Sequence, residues 1–211
     1  WDDLDYNKVA SMRWVLTVKS DGTAKARLVV LGFQMPDIEH METASPTMAR
    51  VSRSLLLAVV ANNGFKLKAG DVTAAFLQTE ESLQHLEMTV RAPSELAVLF
   101  GADPSNPIMP LRVSRAFYGL VQAPRCWFND VSRRMLAQGW KTVLADRCLF
   151  VLYDDDTGDV IAIAGIHVDD FLIGGNEDHP KYQQAFKQLV DTYKWGKWQE
   201  GEIDFAGCHI V

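Results

Sequence analysis

Two adjacent carboxylates, Asp169 and Asp170, stand between apolar runs at residues 161–168 and 171–173. Apolar β-rich runs separated by two turn-compatible residues predict a tight hairpin with both carboxylates at its exposed tip. Carboxylates held this close repel each other unless a cation lies between them. Hard oxygen ligands on an apolar frame suit a divalent metal ion, although a solvated Asp-Asp turn explains the same pattern.

A third carboxylate, Asp71, follows a short alternating strand predicted at residues 65–70. If this strand neighbours the hairpin in one sheet, Asp71 converges with Asp169 and Asp170 on a single point. Two divalent ions held there would serve in-line displacement at phosphorus, one activating the attacking oxygen and one stabilising the leaving oxygen. Mg²⁺ suits such a site because it keeps several waters and needs few protein carboxylates. The pattern alone leaves the convergence open.

The elements that must position these residues alternate along the chain and predict an α+β fold with helices on one face of a sheet. One predicted helix places Val51, Leu55, Ala58 and Val59 on a single face. The predicted strands are residues 14–19, 25–31, 65–70, 86–90, 147–153, 160–168, 171–173 and 203–205, with a hairpin turn at 20–22. The predicted helices are residues 48–62, a short turn capped by Thr73 through Phe76 and Leu77, residues 124–139, and residues 181–194.

Composition narrows the class of protein. The chain of 211 residues is 48% hydrophobic and 23% charged, which is ordinary for a globular protein with a sizeable core. Its apolar runs are too short to span a bilayer and no secretory signal opens it, so we expect an intracellular protein without a membrane partner. The three separated cysteines indicate reduced, buried thiols in an intracellular protein, not a disulfide or zinc framework.

The net charge of −6 speaks against nucleic-acid binding, but its distribution weakens that objection. Residues 8–53 carry seven Lys and Arg against four Asp and Glu, while much of the acid lies elsewhere in the chain. This asymmetry is compatible with a metal-dependent enzyme that acts on a polyanion, and equally with an uneven solvated surface.

Four sequence blocks occur in an order that is typical of one family. The chain resembles the reverse transcriptase of copia-type (Pseudoviridae) LTR retrotransposons over nearly its whole length. The blocks are Lys25-Ala-Arg-Leu-Val with Gly32-Phe33, Asp71-Val-Thr-Ala-Ala-Phe-Leu77, Tyr118-Gly-Leu-Val-Gln-Ala-Pro-Arg-Cys-Trp127, and His167-Val-Asp-Asp-Phe-Leu-Ile-Gly174.

The resemblance implies a right-hand polymerase fold, with an antiparallel palm sheet that carries helices on one face. Residues 1–63 and 80–121 would form a fingers-like region, and residues 64–79 and 122–211 a palm-like region. Together they would make one reverse transcriptase domain. The segment from Phe205 to Ile210 resembles the start of the hairpin that positions the primer, so we expect a thumb and an RNase H domain to be absent.

The activity implied by the resemblance is RNA-directed DNA polymerisation, a nucleotidyl transfer from a deoxynucleoside triphosphate to a primer 3′-hydroxyl. Asp71, Asp169 and Asp170 match the family's catalytic, metal-binding aspartates, which would hold two Mg²⁺ ions, with Mn²⁺ as a substitute. Phe76 matches the aromatic gate whose ring would collide with a 2′-hydroxyl.

Three further residues match nucleotide-binding positions of the family. Gln122 would contact the incoming nucleotide near its 3′-hydroxyl, where an amide can donate and accept. Lys25 and Arg27 would grip the nucleotide phosphates, since a spacing of two puts them on one strand face and Arg binds phosphate bidentately. A loop amide and a solvated edge strand are the plainer explanations of the same residues.

His167 departs from the family pattern, which usually has tyrosine before Val-Asp-Asp. We expect His167 near the primer end, where it can stack or donate a hydrogen bond in a pH-dependent way. Metal ligation by His167 is not expected, because strand alternation is taken to point it away from the carboxylates.

The implied partners are an RNA or DNA template-primer, deoxynucleoside triphosphates and the remainder of a polyprotein, in a cytoplasmic virus-like particle. The oligomeric state and the activity of a chain without its thumb stay open. One alternative is an inactive or repurposed remnant that binds nucleic acid without polymerising. Another is a two-metal nuclease, which would degrade the primer without incorporating nucleotides.

Overall fold

A computed structural model describes residues 9–18, 22–35, 38–40, 44–80 and 88–211. Two short 3₁₀ helices, Gly32–Gln34 and Ile38–His40, accompany the main elements. The strands are β1 (Ala10–Val18), β2 (Ala24–Val30), β3 (Lys66–Asp71), β4 (Met88–Arg91), β5 (Pro110–Val113), β6 (Lys141–Val143), β7 (Asp146–Tyr153), β8 (Val160–His167), β9 (Asp170–Gly175), β10 (Gln199–Glu200), β11 (Ile203–Phe205) and β12 (Cys208–Ile210). The helices are α1 (Arg50–Asn63), α2 (Ala75–Gln78), α3 (Ser94–Leu99), α4 (Ala123–Ala137) and α5 (Pro180–Thr192).

The chain forms two compact units. The first unit comprises Trp1–Ala44 and Thr79–Trp127, and the second comprises Ser45–Gln78 and Phe128–Val211. Helix α1 belongs to the second unit, whereas the boundary predicted after residue 63 groups it with the first. The physical reason is packing: Leu56 and Val60 of α1 are buried in the core that the second unit builds on its sheet.

The first unit contains a four-stranded mixed sheet in the order β2-β1-β4-β5. Strands β1 and β2 form the predicted antiparallel hairpin, with Trp14 opposite Leu28. Strand β4 runs parallel to β1, and β5 runs antiparallel to β4. Residues 20 and 21 of the turn predicted at 20–22 lie outside the described residues, as do the last residue of the predicted strand 14–19 and the first two residues of the predicted strand 86–90.

The second unit contains a six-stranded antiparallel sheet in the order β10-β3-β9-β8-β7-β6. The three strands β7, β8 and β9 are almost continuously buried. Such unbroken apolar runs are typical of strands that are covered on both faces. Strands β11 and β12 form a separate hairpin that turns at Ala206 and Gly207.

Helices cover both faces of this sheet, so the prediction of helices on one face is wrong. A Cβ on Gly174 would overlap Val60 of α1, and a Cβ on Gly175 would overlap the Tyr182 ring of α5. Consecutive residues of a strand point to opposite faces, which places α1 and α5 on opposite sides. Both apolar faces of the central strands require a covering layer.

Helix α1 also buries a different face from the predicted one. Leu56 and Val60 are the buried residues, while Val51 is 80% exposed and Leu55 is 50% exposed. The helix carries apolar side chains around much of its circumference, so periodicity alone does not select a face. The choice depends on the sheet, where Gly165 leaves room for the Leu56 side chain.

The three cysteines are all free; Cys126 and Cys148 are buried as predicted, whereas Cys208 is half-buried and departs from that prediction. Burial raises the pKa of the Cys148 thiol to about 12. Across the described ranges, none of the helices combines the length and apolar character that a membrane span requires.

Candidate active site

Asp71 and Asp170 lie opposite each other on neighbouring strands of the second unit. Strand β3 pairs antiparallel with β9, and the register sets Asp71 across from Asp170. Directly opposed residues of an antiparallel pair point to the same face, with Cβ atoms about 4.5–5.5 Å apart. The backbone N–H of Val72 also donates to the carbonyl of Asp169 at 2.9 Å. The strand that ends at Asp71 and the hairpin that carries the Asp-Asp pair are therefore neighbours in one sheet.

The hairpin turns one residue earlier than predicted. Strand β8 ends at His167 and β9 begins at Asp170, so the two-residue turn consists of Val168 and Asp169. Val168 has a φ of +61°, a conformation that β-branched residues rarely adopt. Asp169 is exposed at the tip, whereas Asp170 is half-buried as the first residue of its strand. The two carboxylates thus have different environments.

The electrostatic environment of Asp170 is unfavourable for an uncompensated charge. Burial raises the pKa of the Asp170 carboxyl to about 6, the negative charges of Asp169 and Asp71 act in the same direction, and His167 opposes them. A carboxylate that is desolvated and close to two others favours either a proton or a cation. This part of the sheet is therefore suited to positive charge.

The carboxylate groups of Asp71, Asp169 and Asp170 are chemically suitable ligands for a divalent cation. Carboxylate oxygens are the ligands that Mg²⁺ prefers, and Mg²⁺ needs only one or two of them besides water and substrate oxygens. Within the described residues, no group of three or more His, Cys, Asp or Glu side chains is drawn together as a ready-made metal site. The strand register places the backbones of Asp71 and Asp170 opposite each other. Their carboxylates repel each other when no cation is bound, which disfavours close approach of the side chains. A bound cation would stabilise that approach.

His167 stands in the same cross-strand row as these carboxylates. The register pairs His167 of β8 with Asp170 of β9, which in turn pairs with Asp71 of β3. The expectation that alternation points His167 away from the carboxylates is therefore wrong, because opposed residues share a face. The His167 ring also packs edge-to-face on Phe205 of β11, with ring centroids 6.4 Å apart. His167 thereby links the carboxylate row to the β11–β12 hairpin.

Phe76 is carried by α2, a single helical turn that begins four residues after Asp71. Ala74, with a φ of +52°, turns the chain from the end of β3 into this helix. The Phe76 side chain is half-buried. The helix ends at Gln78, whose side-chain amide binds the backbone of Lys194 through two hydrogen bonds.

Two residues near Asp71 have no signal in the sequence. Gln78 fastens the segment after α5, and Gly196 lies directly beneath the Asp71 carboxyl group. A Cβ on Gly196 would come within 2.9 Å of the Asp71 carboxyl carbon. Neither residue belongs to a recognisable motif, and both contacts join positions more than a hundred residues apart, so only the folded chain shows them.

Lys25 and Arg27 lie on β2 in the first unit, two residues apart and both half-buried. The Arg27 guanidinium stacks on the Tyr118 ring at 5.7 Å from its centroid. The Tyr118 carbonyl accepts a hydrogen bond of 2.8 Å from the N–H of Val30. At Gly119, with a φ of +86°, a Cβ would overlap the Val30 carbonyl, so this position requires glycine. The third sequence block therefore packs directly on the basic strand.

Gln122 immediately precedes helix α4, and its carbonyl accepts the N–H of Cys126 at 2.9 Å. The helix begins at Ala123, one residue before the predicted start at Pro124, and proline is favourable in a first helical turn. The Gln122 side chain is half-buried. Trp127 and Trp140 are each 1% exposed and belong to the core.

Comparison with known proteins identifies the family of the chain. The sequence profile described as reverse transcriptase (RNA-dependent DNA polymerase) matches residues 4–201. The Retrovirus-related Pol polyprotein from transposon RE2 of Arabidopsis thaliana is 33% identical over 175 residues, covering 80% of this chain and 11% of that polyprotein.

More distant relatives come from other hosts. The Retrovirus-related Pol polyprotein from transposon TNT 1-94 of Nicotiana tabacum is 29% identical over 78% of this chain and 12% of its own length. The Transposon Ty1-BR Gag-Pol polyprotein of Saccharomyces cerevisiae is 24% identical over 94% of this chain and 12% of its own length. The chain thus spans about a tenth of the polyproteins it matches. It belongs to the reverse transcriptase (RNA-dependent DNA polymerase) family, as a domain of the kind found in the Pol polyproteins of copia-type transposons.

Proposed function

We propose that the carboxylate row of the second unit catalyses nucleotidyl transfer, in which a primer 3′-hydroxyl attacks the α-phosphate of a deoxynucleoside triphosphate. One observation carries this proposal: Asp71 lies opposite Asp170 in register, with Asp169 in the adjoining turn, in a chain of the reverse transcriptase family. RNA is the proposed template because the family is defined by RNA-dependent DNA polymerisation.

Asp71, Asp169 and Asp170 would hold two Mg²⁺ ions, for which Mn²⁺ can substitute. When bound, these ions lower the pKa of the primer hydroxyl and stabilise charge on the pyrophosphate leaving group. The protein contributes positioning and charge complementarity more than proton transfer. The raised pKa of Asp170 supports this role, because a bound cation would offset the cost of burying its charge and the repulsion from Asp169 and Asp71.

The incoming nucleotide would be bound by residues from several elements. The Phe76 ring would exclude a 2′-hydroxyl and thereby select deoxynucleotides. Lys25 and Arg27 would grip the triphosphate, and the packing of Arg27 on Tyr118 gives its guanidinium a fixed orientation. The Gln122 amide would contact the nucleotide near its 3′-hydroxyl.

His167 would lie beside the primer end. Its place in the carboxylate row and the packing of its ring on Phe205 support this assignment. The β11–β12 hairpin would then help to position the primer.

In the terms of a right-hand polymerase, we propose that the first unit acts as fingers and the second as palm. The boundary then falls after Ala44 and not after residue 63, with α1 in the palm. The proposed partners are an RNA or DNA template-primer and the remainder of a Pol polyprotein, within a cytoplasmic particle of an active element.

The test is incorporation of deoxynucleotides on a primed RNA template with and without Mg²⁺, beside an Asp169→Asn/Asp170→Asn variant. Mg²⁺-dependent extension that the variant abolishes supports the proposal. Binding of the template-primer without extension would instead favour a remnant that no longer polymerises. Loss of primer nucleotides without incorporation would favour a nuclease.

A further inference from the structure

We propose that Gln78 is a positioning residue for the catalytic centre, because it latches the segment Lys194–Gly196 along the end of β3. This inference rests on the proposed function, since it concerns the placement of Asp71 and of the helix that carries Phe76. The segment Lys194–Gly196 follows α5 in the chain and is called the strap below. The latch joins residues that are 116 positions apart in the sequence.

The Gln78 amide pairs with the strap in the way a strand backbone would. Its Oε1 accepts the Lys194 N–H at 2.7 Å, and its Nε2 donates to the Lys194 carbonyl at 3.1 Å. The same Nε2 donates to the Thr73 carbonyl at 2.6 Å. Both groups of the amide are therefore engaged, and a side chain that lacks either group cannot reproduce the arrangement.

The strap in turn holds the chain on either side of Val72. The Thr73 N–H donates to the Lys194 carbonyl at 2.9 Å, Val72 forms an antiparallel bridge with Trp195, and the Gly196 N–H donates to the Asp71 carbonyl at 2.8 Å. The strap therefore continues the pairing of β3 beyond its last residue. Asp71 is held by β9 on one side and by the strap on the other.

Gly196 places the strap so close that no side chain fits beneath Asp71. A Cβ at this position would overlap the Asp71 carboxylate. The aromatic ring of Trp195 packs edge-to-face on Phe171 at 5.0 Å, which fixes the strap against the sheet. The Asp71 carboxyl group thus rests on a surface whose position depends on the strap, and the strap depends on Gln78.

The positions of Asp71 and of α2 therefore both depend on the hydrogen bonds of Gln78. Asp71 would hold the metal, and α2 carries the nucleotide gate, so the same latch sets the distance between the two. Displacements of about 1 Å in such a constellation cost up to about a hundredfold in rate. Loss of the Gln78 hydrogen bonds should therefore weaken metal binding before it weakens the fold.

The test compares Gln78→Met with Gln183→Met in the full chain. Methionine keeps the side-chain volume and removes the amide; Gln183 is a matched control because its Nε2 also donates to a backbone carbonyl, that of Glu177 at 2.7 Å. Mn²⁺ affinity is measured by calorimetry, amide exchange at Thr73 and Lys194 by NMR, and stability by urea unfolding. A second variant, Gly196→Ala, perturbs the strap without touching Gln78.

We expect Gln78→Met to lose protection at the Lys194 and Thr73 amides and to bind Mn²⁺ about tenfold more weakly, with Gln183→Met within about twofold of the unmodified chain. Gly196→Ala is expected to weaken Mn²⁺ binding as well. Unchanged or tighter Mn²⁺ binding in Gln78→Met overturns the positioning role, whatever Gly196→Ala shows, and leaves the proposed function standing. If the unmodified chain itself binds no Mn²⁺, the metal site of the proposed function fails, and the positioning role fails with it.

Discussion

Asp71 and Asp170 face each other across β3 and β9, and the pairing continues to His167 on β8. Three titratable residues thus form one row across three neighbouring strands. The row lies at the ends of these strands, next to the Val168–Asp169 turn. Only Asp170 of the two opposed carboxylates is half-buried. The charge of Asp170 is therefore less screened by solvent than that of Asp71, which gives this residue a measurable effect on stability.

Asp170→Asn is expected to stabilise the metal-free protein at pH 8. Burial and then the charges of Asp169 and Asp71 raise the pKa of Asp170 to about 6 in the folded state, above about 3.9 in the unfolded chain. The folded protein therefore loses stability as the pH rises through about 6. Removing the charge should raise the free energy of unfolding by about 1–2 kcal/mol at pH 8 and by little at pH 4. Urea unfolding in a chelator measures this difference.

The control for this substitution is Asp169→Asn, which removes a charge from the exposed turn and should give a smaller gain. Added Mg²⁺ should stabilise the unmodified protein more than Asp170→Asn, because the variant lacks one of the proposed metal ligands. Equal stability of the unmodified protein and Asp170→Asn at pH 8 would contradict the assigned environment.

Phe76→Val is expected to increase the use of ribonucleotides. The smaller side chain would leave room for a 2′-hydroxyl, so the ratio of ribonucleotide to deoxynucleotide incorporation should rise by roughly tenfold or more. Leu77→Val, on the same helical turn, is the control and should leave the ratio unchanged. Competition between the two nucleotide types in primer extension measures it, and an unaltered ratio in Phe76→Val would refute the gate.

Val168→Gly is expected to stabilise the second unit. A β-branched residue at a φ of +61° stores about 1–3 kcal/mol of strain, and the entropy of an added glycine offsets about 0.5–1 kcal/mol of the relief. The free energy of unfolding should rise by about 1 kcal/mol. Val160→Gly, at the start of β8, lacks this strain and should destabilise the protein. A loss of stability in both variants would show that the turn is not strained.

Asp154→Asn is expected to destabilise the protein at pH 7 but not at pH 2. The Thr157 backbone N–H and the His179 side chain lower the pKa of Asp154 to about 2. The ionised carboxylate therefore contributes stability above its unfolded pKa of about 3.9, and this contribution is lost as the pH falls towards about 2. Urea unfolding across this range should show the variant and the unmodified protein converging.

Asp156→Asn removes a charge from the same turn and leaves these hydrogen bonds in place, because Asp156 donates through its backbone N–H. If the free energies of unfolding of Asp154→Asn and the unmodified protein differ by the same amount at every pH, the substitution acts through packing and not through the charge of Asp154.

The sequence predicts helices α1, α4 and α5 and the hairpin at Asp169 because these are local patterns, but it does not predict α3 or the short strands β5, β6, β10 and β12. It does not predict the face that α1 buries, since Val51 and Leu55 are as apolar as Leu56 and Val60. The outcome depends on Gly165 and its neighbours on distant strands, which leave room for the buried side chains.

The candidate site likewise combines features that the sequence predicts with features that depend on the folded sheet. Family resemblance points to Asp71, Asp169 and Asp170, but their convergence requires the register of β3 on β9, which is a property of the sheet. The sequence does not predict the proposed positioning role of Gln78 at all. An amide that substitutes for a strand backbone has no characteristic neighbours in the sequence, and its partner lies 116 residues away.

Consecutive residues at the end of β3 point to opposite faces of the sheet, and this restricts which sequence changes the strand can accept. Asp71 faces Asp170 while the next residue, Val72, bridges to Trp195. A single inserted or deleted residue between Lys66 and Asp71 would exchange these two roles and turn the carboxylate to the wrong face. Substitutions there can accumulate one at a time, whereas a change of length removes the proposed metal ligand and the strap contact together. Related chains should therefore vary in side chains along this strand but keep its residue count.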